Sequence, residues 1–257
     1  MKPAFIFAIL ASLGLTTPQG LMAAQSRINN IVLVHGAFTD GSSWQDVIAD
    51  LQSEGYHVTA VQNPLSSLDD DVKATGQVID RQQGDVLLVG HSWGGAVITQ
   101  AGNHPKVKRL AYLSALAPDS GESAASLLTR LNAPMEGLHA DQHGLIWLDD
   151  PVLYHRVMAN DVSHRRTLQL TATQQPIAAR AFHDIVQHAA WRDKPSWYLL
   201  TENDHALTPH TQQQLAAAMG STVTRINASH MSMVSHAGDV VRFIERATQL
   251  SSKETQK

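Results

Sequence analysis

The sequence predicts an α/β fold built on a doubly wound, mainly parallel sheet. Short apolar runs alternate along the chain with segments of helical periodicity. The first run, residues 31–34, is continuous and rich in β-branched side chains, as in a strand buried on both faces. A glycine-rich turn, residues 90–94, joins the apolar run 85–89 directly to a helical stretch. Strands separated by helices favour a parallel sheet with right-handed crossovers.

The individual elements follow from periodicity. The predicted strands cover residues 31–34, 57–61, 85–89, 107–113, 196–201 and 222–226. The predicted helices cover residues 43–53, 69–81, 93–103, 210–218 and 234–250. The first helix places Trp44, Val47 and Leu51 on one apolar face. The second begins with three aspartates, which the helix dipole favours in a first turn.

The stretch from about residue 118 to residue 195 interrupts this alternation. It contains no clear strand and only helical fragments, at 123–131, 151–158 and 177–190. An insertion of this size between two strands is expected to form a helical cap over the carboxyl edge of the sheet, where sites in such folds lie. A separate small domain is the alternative, but its helices are too short and sparse to hold a core of their own.

Composition excludes several classes of function. A chain of 257 residues suits one large α/β domain or two small ones. The formal net charge of −4, without a basic block, argues against nucleic acid and anionic membranes as partners. The absence of cysteine excludes a cysteine nucleophile and a thiolate metal site.

The N-terminus has the layout of a secretory signal peptide, predicted over residues 1–24. Lys2 precedes an apolar stretch at 3–15, and the small pair Ala23 and Ala24 follows. The apolar stretch is too short to span a bilayer, so no stable membrane insertion is expected. A buried first helix is the alternative. We therefore expect a secreted or periplasmic protein that is stabilised by its core, without disulfides.

The turn at residues 90–94 has the pattern Gly-x-Ser-x-Gly between a strand and a helix, which is typical of a nucleophile elbow. Ser92 would be the nucleophile, held with positive φ at a cost of about 1–3 kcal/mol. Gly90 and Gly94 would flank it because side chains there would collide with neighbouring backbone. The alternative is a glycine-rich turn with a solvated serine.

A serine nucleophile needs a base and an acid that orients the base. His230 follows the last predicted strand and Asp204 follows the strand before it, giving the chain order Ser, Asp, His that this kind of site uses. Asp119, which follows the strand 107–113, is the alternative acid. With 14 histidines in the chain, a histidine near a late strand could also arise by chance. A histidine base predicts that activity falls below about pH 6–7.

Two amides are expected to form an oxyanion hole, one from Trp93 and one from the turn after the first strand, from Ala37 or alternatively Phe38. The Phe38 side chain and Trp147 in the cap are candidate substrate contacts. His139 and His143 are spaced four residues apart, but no His-Glu-x-x-His and no carboxylate cluster accompanies them. We expect neither a metal nor another cofactor.

With these residues in place, the chain resembles the α/β-hydrolase superfamily, and within it the small capped serine esterases. The resemblance rests on several motifs: His-Gly-Ala-Phe-x-Asp-Gly-x-x-Trp at 35–44, Gly-His-Ser-Trp-Gly-Gly at 90–95, and the stretches 115–122, 195–199 and 229–236. This branch includes carboxylesterases, plant-type methyl esterases and hydroxynitrile lyases, none of which uses a cofactor. The resemblance implies a six-stranded parallel sheet under a helical cap.

The resemblance also separates activities within the branch. The related lyases carry a threonine where this chain has Gly36, and a lysine where it has Met231, so lyase chemistry is disfavoured. Dehalogenases use an aspartate nucleophile, which Ser92 excludes. We expect a serine hydrolase acting on small carboxylic esters. The alternatives are a non-catalytic ligand-binding or receptor protein on the same scaffold and a cofactor-free perhydrolase.

Overall fold

The computed structural model describes residues 27–133 and 137–249, so the predicted signal peptide lies outside the described residues. The strands are β1 (Asn30–Val34), β2 (His57–Ala60), β3 (Val86–His91), β4 (Val107–Leu113), β5 (Leu145–Ile146), β6 (Ile177–Ala178), β7 (Ser196–Thr201) and β8 (Thr222–Ile226). Six of them form one parallel sheet in the order β2-β1-β3-β4-β7-β8, and β5 and β6 form a small antiparallel pair. The predicted α/β fold with a six-stranded parallel sheet is confirmed.

Helices cover both the sheet and its carboxyl edge. They are α1 (Gln45–Ser53), α2 (Leu68–Asp80), α3 (Trp93–Ala101), α4 (Ala124–Arg130), α5 (Pro151–Val157), α6 (His164–Thr173), α7 (Pro209–Met219), α8 (Ser232–Ser235) and α9 (Ala237–Thr248). Local signals explain several of the ends. Ser67 caps α2 by accepting from the Asp70 amide, and α7 begins with Pro209 and ends at Gly220 in the left-handed region.

Strand β3 lies at the centre of the sheet and all six of its residues are buried. It pairs in parallel with β1 on one side and β4 on the other. Because the strands of the sheet run in parallel, their carboxyl ends meet at one edge. The turns after β1, β3 and β7, and the loop after β8, therefore carry their polar residues to the same region.

The segment between β4 and β7, called the cap below, contains α4, α5, α6 and the antiparallel pair of β5 and β6. The prediction of a helix over 177–190 is wrong. Ile177 and Ala178 instead pair with β5, and a 3-10 turn over Ala179–His183 ends at Asp184, which has extended backbone angles. The expectation of no strand in this segment is wrong for the same reason. Helix α6 was missed because only Thr167 and Leu170 are buried along it, so its apolar periodicity is weak.

The C-terminal helical region differs slightly from the prediction of one helix over 234–250. Helix α8 begins two residues earlier, and His236 (φ −133°, ψ 44°) interrupts the helical conformation before α9 begins. Residue 250 lies outside the described residues. Within the two described ranges, none of the helices combines the length and the apolar character needed to cross a bilayer.

Candidate active site

Ser92 lies at the junction of β3 and α3, with φ 52° and ψ −120°. Such angles are strained for a residue with a side chain, and strain of this kind clusters at functional sites. Close packing explains the glycines around it. A Cβ on Gly90 would lie 2.5 Å from the carbonyl oxygen of Gly94, and a Cβ on Gly94 would lie 2.5 Å from that of Val34. The elbow can form only with glycine at these two positions.

His230 lies in the loop between β8 and α8, and its side chain is buried. Its Nδ1 is 2.7 Å from Oδ2 of Asp204, whose side chain is also buried. Since the carboxylate accepts, the ring proton lies on Nδ1 and the lone pair on Nε2 is left for another partner. His230 and Ser92 line the same cavity, so residues 138 positions apart in the chain share one site.

Asp204 follows β7 and is surrounded by hydrogen-bond donors. Two donate to Oδ1 and three to Oδ2: the amides of Ala206 and Leu207, each at 2.8 Å, and the side chains of Thr201 at 3.0 Å, Gln212 at 2.9 Å and His230. Charge-assisted hydrogen bonds are stronger than neutral ones. Both oxygens are therefore held in place, and the carboxylate cannot rotate without breaking several of these hydrogen bonds.

Gln212 on α7 is a residue of this network that sequence reasoning missed. Its side chain is fully buried, its Oε1 accepts from the Thr201 amide at 3.0 Å, and its Nε2 donates to the Leu207 carbonyl at 2.7 Å as well as to Asp204. The Thr201 hydroxyl donates to Asp204 and lies 2.7 Å from that of Ser114. The only sequence signal was a glutamine facing the core side of a helix.

Asp119, the alternative acid, lies elsewhere. Its carboxylate accepts two hydrogen bonds from the Arg192 guanidinium, one of them at 2.6 Å from Nε, and its side chain is one-third exposed. The hydrogen bonds from Arg192 hold the pKa of Asp119 below its usual range. Asp119 therefore belongs to a surface ion pair, and the carboxylate that meets His230 is Asp204.

The candidate oxyanion donors lie beside Ser92. The Trp93 amide is the first of α3, so no carbonyl one turn earlier in the helix can accept from it. Ala37 and Phe38, in the turn after β1, line the same cavity as Ser92. The structure thus brings the three predicted positions to one cavity, which is the arrangement an oxyanion hole needs.

Close contacts hold the turn after β1 against the elbow. A Cβ on Gly36 would lie 2.7 Å from the Cβ of Ser92, so the backbone at Gly36 packs directly against Ser92. Phe38 has φ 58°, and its carbonyl accepts a hydrogen bond from the buried Tyr154 hydroxyl at 3.1 Å. Helix α5 therefore fixes the turn from the cap side. Tyr154, which packs in the cap, supports the site without lining the cavity.

Two further histidines lie against the site and are fully buried. His35 accepts from the Asn63 amide through Nε2 at 2.9 Å, which leaves its Nδ1–H to donate to the Gly36 carbonyl at 2.8 Å. His91 donates from Nε2 to the carbonyl of His230 at 2.9 Å. Burial lowers the pKa of His35 and lowers that of His91 well below its ordinary range. Both rings are neutral hydrogen-bonding supports.

The cavity has a volume of about 530 Å³, within the usual range for small-molecule sites. Its wall is mainly apolar. Besides Ser92, His230 and the oxyanion candidates, it includes Leu116, Leu128, Leu138, Leu148, Leu153, Val157, Met158, Phe182 and Leu207. The predicted contact by Phe38 agrees with this lining.

The prediction that Trp147 contacts the substrate is wrong. It is absent from the cavity wall, its side chain is 42 % exposed, and its indole N–H donates to Asp141 at 3.2 Å. It follows directly on β5, whose pairing with β6 turns it toward solvent. Among the described residues of the cap, the aromatic that lines the cavity is Phe182.

Asp71 is a second residue that the sequence pattern did not single out. It is fully buried in α2; its Oδ2 accepts from the Trp93 indole at 2.7 Å, and its Oδ1 accepts from the Leu65 amide at 2.7 Å. The Trp93 ring in turn packs edge-on against Phe182, 5.2 Å between centroids. Desolvation raises the pKa of Asp71 to about 6 from an ordinary 3.8. A buried carboxylate thus anchors the residue that follows Ser92.

This raised pKa predicts a pH-dependent stability. The native protein binds a proton at Asp71 more tightly than the unfolded chain does, so its contribution to the free energy of unfolding falls as pH rises from about 4 to about 6. The stability difference between wild type and Asp71→Asn should shift against wild type by about 2 kcal/mol between pH 4 and pH 7. Urea unfolding of both proteins at each pH measures it, and a pH-independent difference would contradict it.

Comparison with known proteins gives the family. A model of the alpha/beta hydrolase family matches residues 31–243. The chain belongs to the alpha/beta hydrolase family. Among the curated relatives of this hydrolase, a carbendazim hydrolyzing esterase of Nocardioides sp. is 31% identical over 172 residues, 57% of this chain and 71% of that protein. The alpha/beta hydrolase nvfD of Aspergillus novofumigatus is 29% identical over 244 residues, 84% of this chain and 95% of that protein.

Solved structures agree on the fold of the hydrolase. Polyneuridine aldehyde esterase superposes with a TM-score of 0.73 at 20% identity, covering 85% of this chain and 97% of that one. An extracellular alpha/beta-hydrolase from a Paenibacillus species gives 0.72 at 18% identity, covering 85% and 98%. The resemblance to the small capped esterase branch is confirmed, and with it the prediction of a carboxylic ester hydrolase.

Proposed function

We propose that this hydrolase cleaves carboxylic esters through an acyl-enzyme, with Ser92 as nucleophile, His230 as general base and Asp204 as the acid that orients the base. The observation that carries the proposal is the buried 2.7 Å contact between His230 and Asp204 at a cavity that Ser92 also lines. Ser92 is presented there on a strained turn, as a nucleophile elbow requires.

The proposed reaction has two halves. In the first, Nε2 of His230 takes the proton of the Ser92 hydroxyl while the oxygen attacks the acyl carbon, and the resulting imidazolium protonates the departing alcohol. In the second, His230 draws a proton from a water that attacks the acyl carbon, and the imidazolium then returns this proton to the Ser92 oxygen as its bond to the acyl group breaks and the acid leaves. Asp204 keeps the His230 proton on Nδ1 and stabilises the imidazolium, and four other donors hold its carboxylate in the orientation that this requires.

The negative charge of each tetrahedral intermediate would be held by the amides of Trp93 and of Ala37 or Phe38. Donors about 2.7–3.1 Å from that oxygen stabilise it most when they are fixed in advance. Two features supply this rigidity: the contact of Gly36 with Ser92, and the hydrogen bond from Tyr154 to the Phe38 carbonyl.

We further propose small to medium esters with apolar acyl or alkyl groups as substrates, because the cavity wall is mainly apolar. Each methylene buried there contributes about 0.8 kcal/mol, or about fourfold in kcat/KM. We expect kcat/KM for p-nitrophenyl esters to rise by about this factor per methylene until the acyl chain fills the cavity, and then to level off or fall. A flat series from acetate to decanoate would contradict an apolar acyl site.

Reaction with a fluorophosphonate probe tests the proposal directly. Such probes phosphonylate a serine only when a base activates it, so labelling should occur at Ser92 in the native protein and disappear after unfolding. A protein that binds ligands without turnover would remain unlabelled. Mass spectrometry of the labelled peptide identifies the serine.

We also propose that residues 1–24 direct export and are then removed, giving a secreted or periplasmic enzyme. The support is the layout of the N-terminal sequence. Determination of the N-terminus of protein recovered from the medium or periplasm tests this. A chain that keeps Met1 and remains in the cytoplasm would contradict it.

A further inference from the structure

The backbone on both sides of His230 is hydrogen-bonded to the cap. The Ser229 amide donates to Oδ2 of Asp161 at 2.8 Å, and the Met231 amide donates to the carbonyl of Met158 at 3.0 Å. Both acceptors lie in the short connection between α5 and α6. The residues before and after the proposed base are therefore held by one segment of the cap.

The third contact comes from the sheet. The carbonyl of His230 accepts from the His91 ring at 2.9 Å, and the two rings lie 4.6 Å apart between centroids. The main chain of three successive residues of the loop is thus hydrogen-bonded, to two side chains and to one carbonyl. Two of these partners belong to the cap and one belongs to the elbow.

Asp161 also contacts Ser235 and His236, at the end of α8. Its Oδ2 accepts from the Ser235 hydroxyl at 3.0 Å, and Nδ1 of His236 lies 3.4 Å away. The Asp161 side chain is only 20 % exposed although it lies near the surface. One carboxylate therefore fastens both ends of the segment 229–236. Met158, three residues earlier, lines the cavity, whereas Asp161 does not.

We infer that Asp161 is a positioning residue for His230, and that the cap connection between α5 and α6 sets the place of the base relative to Ser92 in addition to enclosing the substrate. The inference rests on the proposed function, since it assumes that His230 is the base. A misplacement of about 1 Å in a reacting group can lower a rate by about 100-fold. The loop that Asp161 holds is short enough to transmit such a shift.

Replacing Asp161 by alanine tests this. We expect kcat for a p-nitrophenyl ester to fall by about 10–100-fold while KM changes by less than about threefold, because the cavity wall is unaltered. The rate of fluorophosphonate labelling should fall by the same factor, since it reports the Ser92–His230 pair without substrate binding. Asp161→Asn keeps an oxygen that can accept from the Ser229 amide, and its kcat should stay within about threefold of wild type.

Asp184→Ala is the matched control. Asp184 is a cap residue whose Oδ2 accepts from the Leu68 amide at 2.9 Å, a contact of similar length at the start of α2, away from the His230 loop. This variant loses one hydrogen bond of comparable strength between cap and core. Its kcat should remain within about twofold of wild type, and thermal unfolding of both alanine variants shows that each is folded.

Two outcomes would overturn the inference. Equal kcat for Asp161→Ala and Asp184→Ala would mean that Asp161 has only a structural role. An Asp161→Asn variant as slow as Asp161→Ala would mean that Asp161 acts on the reaction through its charge and does not position His230 through the hydrogen bond from Ser229. Failure of the proposed function is distinguishable, because Ser92→Ala would then retain activity whatever Asp161 does.

Discussion

The Ser92→Ala variant is expected to lose at least about four orders of magnitude in kcat on any ester that the wild-type enzyme hydrolyses. Without the hydroxyl, the acyl-enzyme cannot form, and only the oxyanion donors and the binding of substrate remain. The fold should persist because alanine is smaller than serine and because residue 92 has the same strained backbone angles in both proteins. Steady-state hydrolysis of a p-nitrophenyl ester, corrected for spontaneous hydrolysis, measures the loss.

Ser53→Ala provides the matched control for this experiment. Ser53 lies at the exposed end of α1, and its hydroxyl donates to the Asp50 carbonyl. Its removal should leave kcat and KM unchanged. Should Ser92→Ala instead keep full activity, Ser92 is not the nucleophile and the proposed acyl-enzyme is abandoned.

Asp204→Asn should lower kcat by about 10³–10⁴-fold. An asparagine offers one oxygen and one NH2 group where Asp204 offers two acceptors to five donors. Whichever way the amide turns, its NH2 group faces hydrogen-bond donors instead of acceptors. If it faces His230, the imidazole must move its proton to Nε2, where it can no longer accept one from Ser92. Steady-state kinetics at pH 8 gives the decrease.

Asp119→Asn tells the two candidate acids apart. Its carboxylate pairs with Arg192 at the surface, so its loss should change kcat by less than about twofold, as expected for an exposed ion pair. If Asp119→Asn were the inactive variant and Asp204→Asn the active one, the assignment of the orienting acid would have to be reversed.

A feature could be predicted from the sequence where the residues that explain it lie close together in the chain. The elbow could be predicted because glycines at 90 and 94 are required by backbone packing within that turn and against β1. The candidates Asp204 and His230 could be predicted because each follows directly on a strand, and parallel strands bring such positions to one edge.

The missed residues act through partners that are distant in the chain. Asp71 meets Trp93 across 22 positions, and Asp161 meets Ser229 across 68. In the sequence, Asp71 is one of three consecutive aspartates, and only the structure distinguishes it as the buried one that contacts the elbow. No local pattern separates such residues from solvated carboxylates.

The cap was predicted least well because its elements are short and paired non-locally. The strands β5 and β6 have two residues each and lie more than 30 positions apart, too little for a period-two pattern to appear. The same pairing turned Trp147 outward. The sequence shows an aromatic residue in the cap, but the direction of its side chain depends on a strand pairing that the sequence does not predict.

The hydrogen bonds from Ser229 and Met231 to the segment 158–161 bear on attempts to redesign this enzyme. A chimera whose cap came from a relative would gain a new pocket for new esters. It would also place different hydrogen-bond acceptors opposite these two amides. Grafts that preserve a carboxylate at 161 and the backbone path at 158 should turn over the new substrates. Grafts that do not should bind the new substrates but hydrolyse them slowly. Selection for tight binding alone would therefore favour poor catalysts.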